Sequence, residues 1–279
     1  MPPKEILVSK VSYQGDIENS VQKVVDLIGG WQKFISAKDR VLLKPNFNTA
    51  DPFPGSTALD FLGAVIELLQ EKINPREIIL GESSTYYLNT KRVLGKTGAL
   101  SLAQKLGVKF QIFDEEEWVK KEIPRGKYLK KASVPKILDE VDKLILLPCL
   151  KTHFAARFTM SLKLAVGFLK KSERAMLHLR NLEGKIAELN SLIHPNLIIM
   201  DGRKCFVSRG PDKGELKEPN LIFASTDRIA LDIEGLKVLK SYPAQNRLNL
   251  PLWDFPQIKR VVEMGLGAKN EKEYQVVSE

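Results

Sequence analysis

Apolar positions along the chain follow two rhythms. Short runs, several of them β-branched and almost wholly apolar, occur at 5–11 (EILVSKV), 40–45 (RVLLKP), 77–83 (EIILGES), 108–113 (VKFQIF), 142–148 (DKLILLP), 196–201 (NLIIMD) and 220–226 (NLIFAST). Strands buried on both faces have this composition. Between them the spacing turns helical. The stretch 56–72 puts Leu59, Leu62, Val65, Ile66 and Leu69 on one stripe that continues to Ile73, behind a capping-box-like start at Thr57 and Asp60. Residues 19–30 stop at a glycine pair, and 226–240 again begins with Thr and Asp and carries Ile229, Ile233 and Leu236. Strands alternating with helices predict an α/β fold: a mainly parallel sheet flanked by helices, with a ligand crevice at the strand carboxyl ends. Residues 1–279 are expected to form one α/β domain; the charged, polar stretch 115–135 is the one seam at which two lobes could meet.

Polar residues just past the strand ends supply the candidate chemistry. Lys44, Asn46 and Asn48 come at the end of the second run, Glu82 and Ser83 at the third, Lys151, Thr152 and His153 after the fifth, Asp201 at the sixth and Asp227 after the seventh. In a parallel sheet they would converge on one edge. The loop 45–56 is long for a strand-to-helix connection and holds Pro45, Pro52 and Pro54, which pre-order a loop as a ligand clamp requires. Lys151 and His153 alternate with Thr152, so on a continuing strand they point the same way. With Lys163, the lysines suit a carboxylate or phosphate, and a buried lysine that loses its charge becomes a base or an amine nucleophile. His153 is the candidate proton shuttle. Asp201 and Asp227 are the candidate ligands for a divalent metal, although Asp227 also sits where a helix N-terminal acid belongs. His178 would approach the site if 168–180 folds over it, and His194 reads as a helix end.

Composition narrows the classes. The chain has 279 residues, enough for a sizeable core, and no window approaches the roughly 18 consecutive apolar residues of a membrane span. The opening "MPPKEILVSKV" has no secretory apolar region, so a cytoplasmic location without membrane attachment is expected. A net charge of +9 suits an acidic ligand, but the basic residues are spread among acidic ones and no nucleic-acid-binding signature occurs. The two cysteines, Cys149 and Cys205, make neither a disulfide framework nor an iron–sulfur motif. The "GKT" at 95–97 lacks the first glycine of a phosphate-binding loop.

The order "VLLKPNFN", "IILGESS", "VDKLILLPCLKTH", "SLKLAVGFL", "LIIMDG…GPDKG" and "STDRIALD" resembles the family catalogued as domain of unknown function 362, over roughly residues 5–240. Members of that family often carry an appended ferredoxin-like segment and are commonly labelled iron–sulfur proteins; this chain lacks the cysteine cluster such a segment would need. The resemblance also implies an asparagine after Lys163, where Leu164 stands. The family is distantly similar to the nickel-pincer lactate racemases, from which no residue is carried over.

The sequence therefore predicts an enzyme acting on a small anionic substrate, with Lys44, Lys151 and Lys163 holding negative charge and His153 moving a proton. The cofactor is undetermined, with a divalent metal as the candidate. The alternative is a non-catalytic binding or accessory protein that handles a metal or cofactor.

Overall fold

The computed structural model describes residues 5–279. β1 (Ile6–Ser12) and α1 (Ile17–Asp26) lead into β2 (Arg40–Lys44), α2 (Leu59–Lys72) and β3 (Glu77–Glu82). α3 (Thr90–Thr97), α4 (Ala99–Lys105) and β4 (Lys109–Ile112) follow, then β5 (Trp118–Glu122), β6 (Lys131–Pro135), β7 (Lys143–Leu146), β8 (Cys149–His153) and β9 (Arg157–Thr159). Three short helices come next, α5 (Ser161–Leu164), α6 (Lys171–Leu177) and α7 (Leu182–Leu189). The chain closes with β10 (Leu197–Ser208), β11 (Glu215–Lys217), β12 (Leu221–Ser225), α8 (Arg228–Ser241), α9 (Pro256–Glu263) and β13 (Tyr274–Ser278).

The main sheet has 11 strands and is mostly parallel, in the order β13-β1-β12-β10-β7-β2-β3-β4, with β8 and β11 branching from β10 and β9 pairing with β8. Helices cover both faces. Side-chain alternation along the central strands divides the core accordingly: Val41, Leu43, Ile78 and Leu80 face α1 and α2, while Leu42, Ile79, Leu144 and Leu146 face the layer holding α7, α8 and α9. Among the described residues no helix is long and apolar enough to cross a membrane.

Three expectations change here. The sixth strand does not stop at Asp201 but runs on to Ser208, and β12 comes back antiparallel to it. The fifth run breaks at Pro148, which has no N–H for a ladder, and the chain restarts as β8 in register with the far half of β10. α2 begins at Leu59 without a side-chain cap, because Thr57 is used elsewhere. The stretch 115–135 contains the antiparallel pair β5–β6, whose neighbouring Ile123 and own Ala132 and Val134 join the core on the α8 side.

Candidate functional site

β2 ends at Lys44 and β3 at Glu82, two parallel neighbours that stop side by side. β8 delivers Lys151 and His153, and α5 delivers Lys163. All five line one cavity of about 270 Å³, together with Asn46, Asn48 and Ser83. The loop 45–56 forms one wall and is clasped to its own end: Asn46 N donates to Thr57 Oγ1 (2.7 Å) and Thr57 N to Asn46 O (2.9 Å). That clasp is why Thr57 does not cap α2.

Lys44 and Glu82 form a sealed pair. Their Nζ–Oε1 distance is 2.5 Å and each side chain is 1% exposed. Lys44 also donates to Pro45 O, and Glu82 accepts from Phe47 N (2.7 Å) and Ser83 N (2.8 Å). A Cβ on Gly167 would lie 2.7 Å from Lys44 Cε, so only glycine lets this backbone close over the pair. Lys44 is thus neutralised inside the wall. It is not the free anion-holding group expected, although burial pulls its ammonium below the ordinary value while Glu82 opposes the shift.

Among the described residues, the other cations lining the cavity, Lys151, Lys163 and Arg174, have no carboxylate partner in contact. Lys151 is buried and donates to Gly55 O, and burial lowers its pKa, with Cys149, Asp51 and Asp212 opposing. Lys163 is half-buried, and among the described residues its Nζ has neither a hydrogen-bond nor an ion-pair partner; burial, with Lys151 and Arg174 nearby, pulls it from near 10.5 to about 7. Arg174, on α6, lies behind the same cavity and donates only to carbonyls: Leu169 O, Ser83 O, Ser84 O and Gly167 O, at 2.6–3.0 Å. It staples the β3 loop to the segment after α5 and leaves its positive charge unpaired.

His153 is 6% exposed and its Nδ1 accepts from two backbone donors, Ala155 N at 3.0 Å and Ala156 N at 3.1 Å. A nitrogen that accepts two N–H groups carries no proton, so the neutral ring bears its hydrogen on Nε2. Burial, then Lys163 and Lys151, push the imidazole far below its ordinary pKa. The proton shuttle expected of His153 does not fit this geometry: the ring is a fixed donor. Nor does Thr152 serve the crevice as expected of a substrate-binding group. It points away from the cavity, donating to Phe206 O (2.9 Å) and accepting from Gly210 N (3.2 Å), and so ties β8 to β10 and the 208–214 turn.

Neither metal candidate fits. Asp201 is buried and bound by Arg203, which also takes Asp60 in a two-pronged pair (2.6 and 2.9 Å). Asp227 lies past the end of the antiparallel β12, at the opposite sheet edge. There it caps α8 through Ile229 N and Ala230 N and accepts from Ala268 N. Ser225 pairs with Ile198, which places Asp227 some five residues from Asp201 along the strand direction, about 16 Å. They cannot share an ion. Among the described residues no group of three or more His, Cys, Asp or Glu side chains is arranged to hold one.

A family model described as "Domain of unknown function (DUF362)" matches residues 41–237, well over half of the chain. The chain belongs to the DUF362 family. A curated relative, the thylakoid-associated protein sll1697 of Synechocystis, is 27% identical; the match covers 93% of this chain and 90% of that protein. Among solved structures, the lactate racemase apoprotein from Thermoanaerobacterium thermosaccharolyticum superposes with a TM-score of 0.54 at 11% identity, covering 85% of this chain and 57% of the racemase. The DUF362 chain thus shares the fold of a little over half of that protein's length.

In this DUF362 chain, Leu164 stands beside Lys163 and presents an apolar surface to the cavity. Sequence reasoning missed Arg174 and gave Asp232 no role in the site, although it places that acid inside the helix, where it could face the sheet edge. Arg174 lies in "KKSERAMLHLR", where it looks like one more surface charge. Asp232 lies inside α8, fully buried, and accepts from Ser161 N (2.9 Å), Ser161 Oγ and Leu162 N (3.0 Å), capping the single turn that carries Lys163. The usable signal was an acid among apolar neighbours in the middle of a helix. Burial raises its pKa to about 7, with the Ser161 and Leu162 donors opposing.

Proposed function

We propose that the crevice binds a small molecule carrying a carboxylate or phosphate, and that the protein is an enzyme acting on it. The observation that carries this reading is the charge of the walls. Lys151, Lys163 and Arg174 bring three basic groups to a cavity of about 270 Å³, and none has a carboxylate in hydrogen-bond contact. A bound anion would supply the missing counter-charge. Lys163, poised near pH 7, is the group able to take a proton, while His153 Nε2–H donates to a developing negative charge. Proton transfer next to a carboxylate suits these parts. That a solved neighbour sharing the fold is a lactate racemase, an enzyme of a small carboxylate, supports the same reading.

The test is titration calorimetry with short carboxylates and phosphates on the wild type and on Lys151→Ala. The variant should bind at least about tenfold more weakly, the scale of one lost charge-assisted hydrogen bond. Unchanged affinity would overturn the reading. In a turnover assay, kcat/KM should rise through about pH 7 as Lys163 of the free protein loses its proton. His153→Phe should cost about 10²–10³ in kcat without moving that midpoint. A midpoint that vanishes with His153 would restore it as the proton carrier.

The fixed tautomer of His153 favours one second reading, a non-catalytic protein that binds the same anion. It predicts tight binding with no metabolite consumed.

A further inference from the structure

Most of the large exposed apolar side chains gather at one place. Tyr86, Tyr87 and Phe154 line the cavity, while Met176 and Leu179 flank its lining residue His178. Tyr87 is 68% exposed and Phe154 67%, and both line the cavity; large exposed apolar groups at a cavity are the kind of surface that marks a binding site. Nor are they loosely placed. Tyr86 and Tyr87 meet edge to face with ring centroids 5.2 Å apart. Phe154 stacks on His153 at 4.9 Å with a 15° tilt. Its backbone is held on both sides, by Gly210 O on its N–H and by Arg247 Nη1 on its carbonyl.

The cavity therefore has two chemistries along its depth. Its inner wall carries Lys151, Lys163, Arg174 and the His153 donor, and its mouth carries fixed aromatic and aliphatic groups. We infer that the ligand is a monomeric amphiphile, with a carboxylate or phosphate head inside and an apolar or aromatic tail lying across Tyr86, Tyr87 and Phe154. This rests on the anion-binding reading above and adds the part of the ligand that reading leaves open. Continuity decides the occupant: the cations and the rings line one and the same cavity, with Leu164 and Val166 as further apolar lining, so one molecule can touch both. The rings supply large contact area at little entropic cost, which is how aromatic side chains discriminate among apolar substituents.

The test is affinity against tail length. Linear carboxylates from acetate to octanoate, with phenylacetate and 3-phenylpropionate, and the matching alkyl phosphates, are titrated below their micellar concentrations. Affinity should rise about fourfold per added methylene until the rim is covered. In Tyr87→Ser/Phe154→Ser the dependence on tail length should flatten. In Lys151→Ala every member of the series should weaken together. If acetate and octanoate bind equally well, the amphiphile inference is overturned and the anion reading stands; if no anion binds at all, the anion reading itself fails. Sedimentation and flotation with vesicles of anionic phospholipid run on the same proteins. Should the rim substitutions change self-association or vesicle binding while the tail-length slope stays as in the wild type, the rim serves a second copy or a lipid surface, and the inference is overturned.

Discussion

Lys44 and Lys163 occupy walls of one cavity and carry the same side chain, yet their charges meet opposite fates. Lys44 ends a strand whose parallel neighbour ends in Glu82, so its ammonium is matched at 2.5 Å and sealed at 1% exposure. Lys163 sits on a one-turn helix capped from below by Asp232, with Lys151 and Arg174 as its nearest charged influences. One lysine braces the wall and the other is left to titrate. The difference lies in what a neighbouring strand or helix happens to end with, and residue type alone does not reveal it.

The largest effect expected from breaking this comparison lies at the sealed pair. Glu82→Gln leaves a buried ammonium without its counter-charge, and removing one partner of such a pair costs about 3–5 kcal/mol. Chemical denaturation should show a loss of that size, and Lys44→Met/Glu82→Gln should recover most of it. If the single variant is as stable as the wild type, Lys44 is not held by Glu82, and the contrast with Lys163 collapses.

A smaller effect is expected one layer out. Gly167→Ala places a methyl 2.7 Å from Lys44 Cε and 2.9 Å from Nζ. The lysine cannot swing aside, because Glu82 and Pro45 O hold its end. Overpacking of this kind costs about 1–3 kcal/mol. The cost should shrink in the Lys44→Met/Glu82→Gln background, where the methyl meets a side chain free to move. Equal costs in both backgrounds would mean that Gly167 is required by its own backbone and not by the pair.

The contrast also shows which parts of the site are legible in the sequence. Lys44, Glu82, Lys151 and His153 can be found there because apolar runs locate strand ends, and parallel strands bring those ends to one edge. Asp227 escapes that logic because β12 is antiparallel. The residues between Asp201 and Leu221 carry no helical pattern, and a parallel return needs a crossover of a dozen or more residues, usually with a helix. That absence is the usable sign that β12 turns straight back, and β11 pairing with the extended β10 is the result. The state of His153 lies beyond the sequence. It depends on Ala155 N and Ala156 N curling back onto Nδ1, a matter of backbone path two and three residues on. Asp201 likewise reads as a free acid in sequence, because its guanidinium partner Arg203 is shared with Asp60, more than a hundred residues away.

The smallest effect, and the one that most sharpens the comparison, concerns Lys163 and pH. Its folded pKa of about 7 lies below the ordinary value near 10.5. Between those two values the unfolded chain holds a proton that the folded chain has lost, so this group makes stability rise with pH across that window. Below about pH 7 the full cost of keeping the cation in the wall is present, and above about 10.5 it is gone. Lys163→Met removes the group. The variant should melt roughly 2–4 °C above the wild type at pH 6, the scale of one kilocalorie in a chain of this size, and the margin should narrow steadily toward about pH 10. Asp232, whose pKa is raised to about 7, gives the opposite slope between its ordinary value and 7, but it is present in both proteins and cancels in the difference. The same subtraction for Lys44→Met should look entirely different: destabilising at neutral pH, because Glu82 is then the buried charge left alone. If the two methionine variants behave alike, the two lysines are not in opposite states, and Lys163 loses its place as the proton carrier of the crevice.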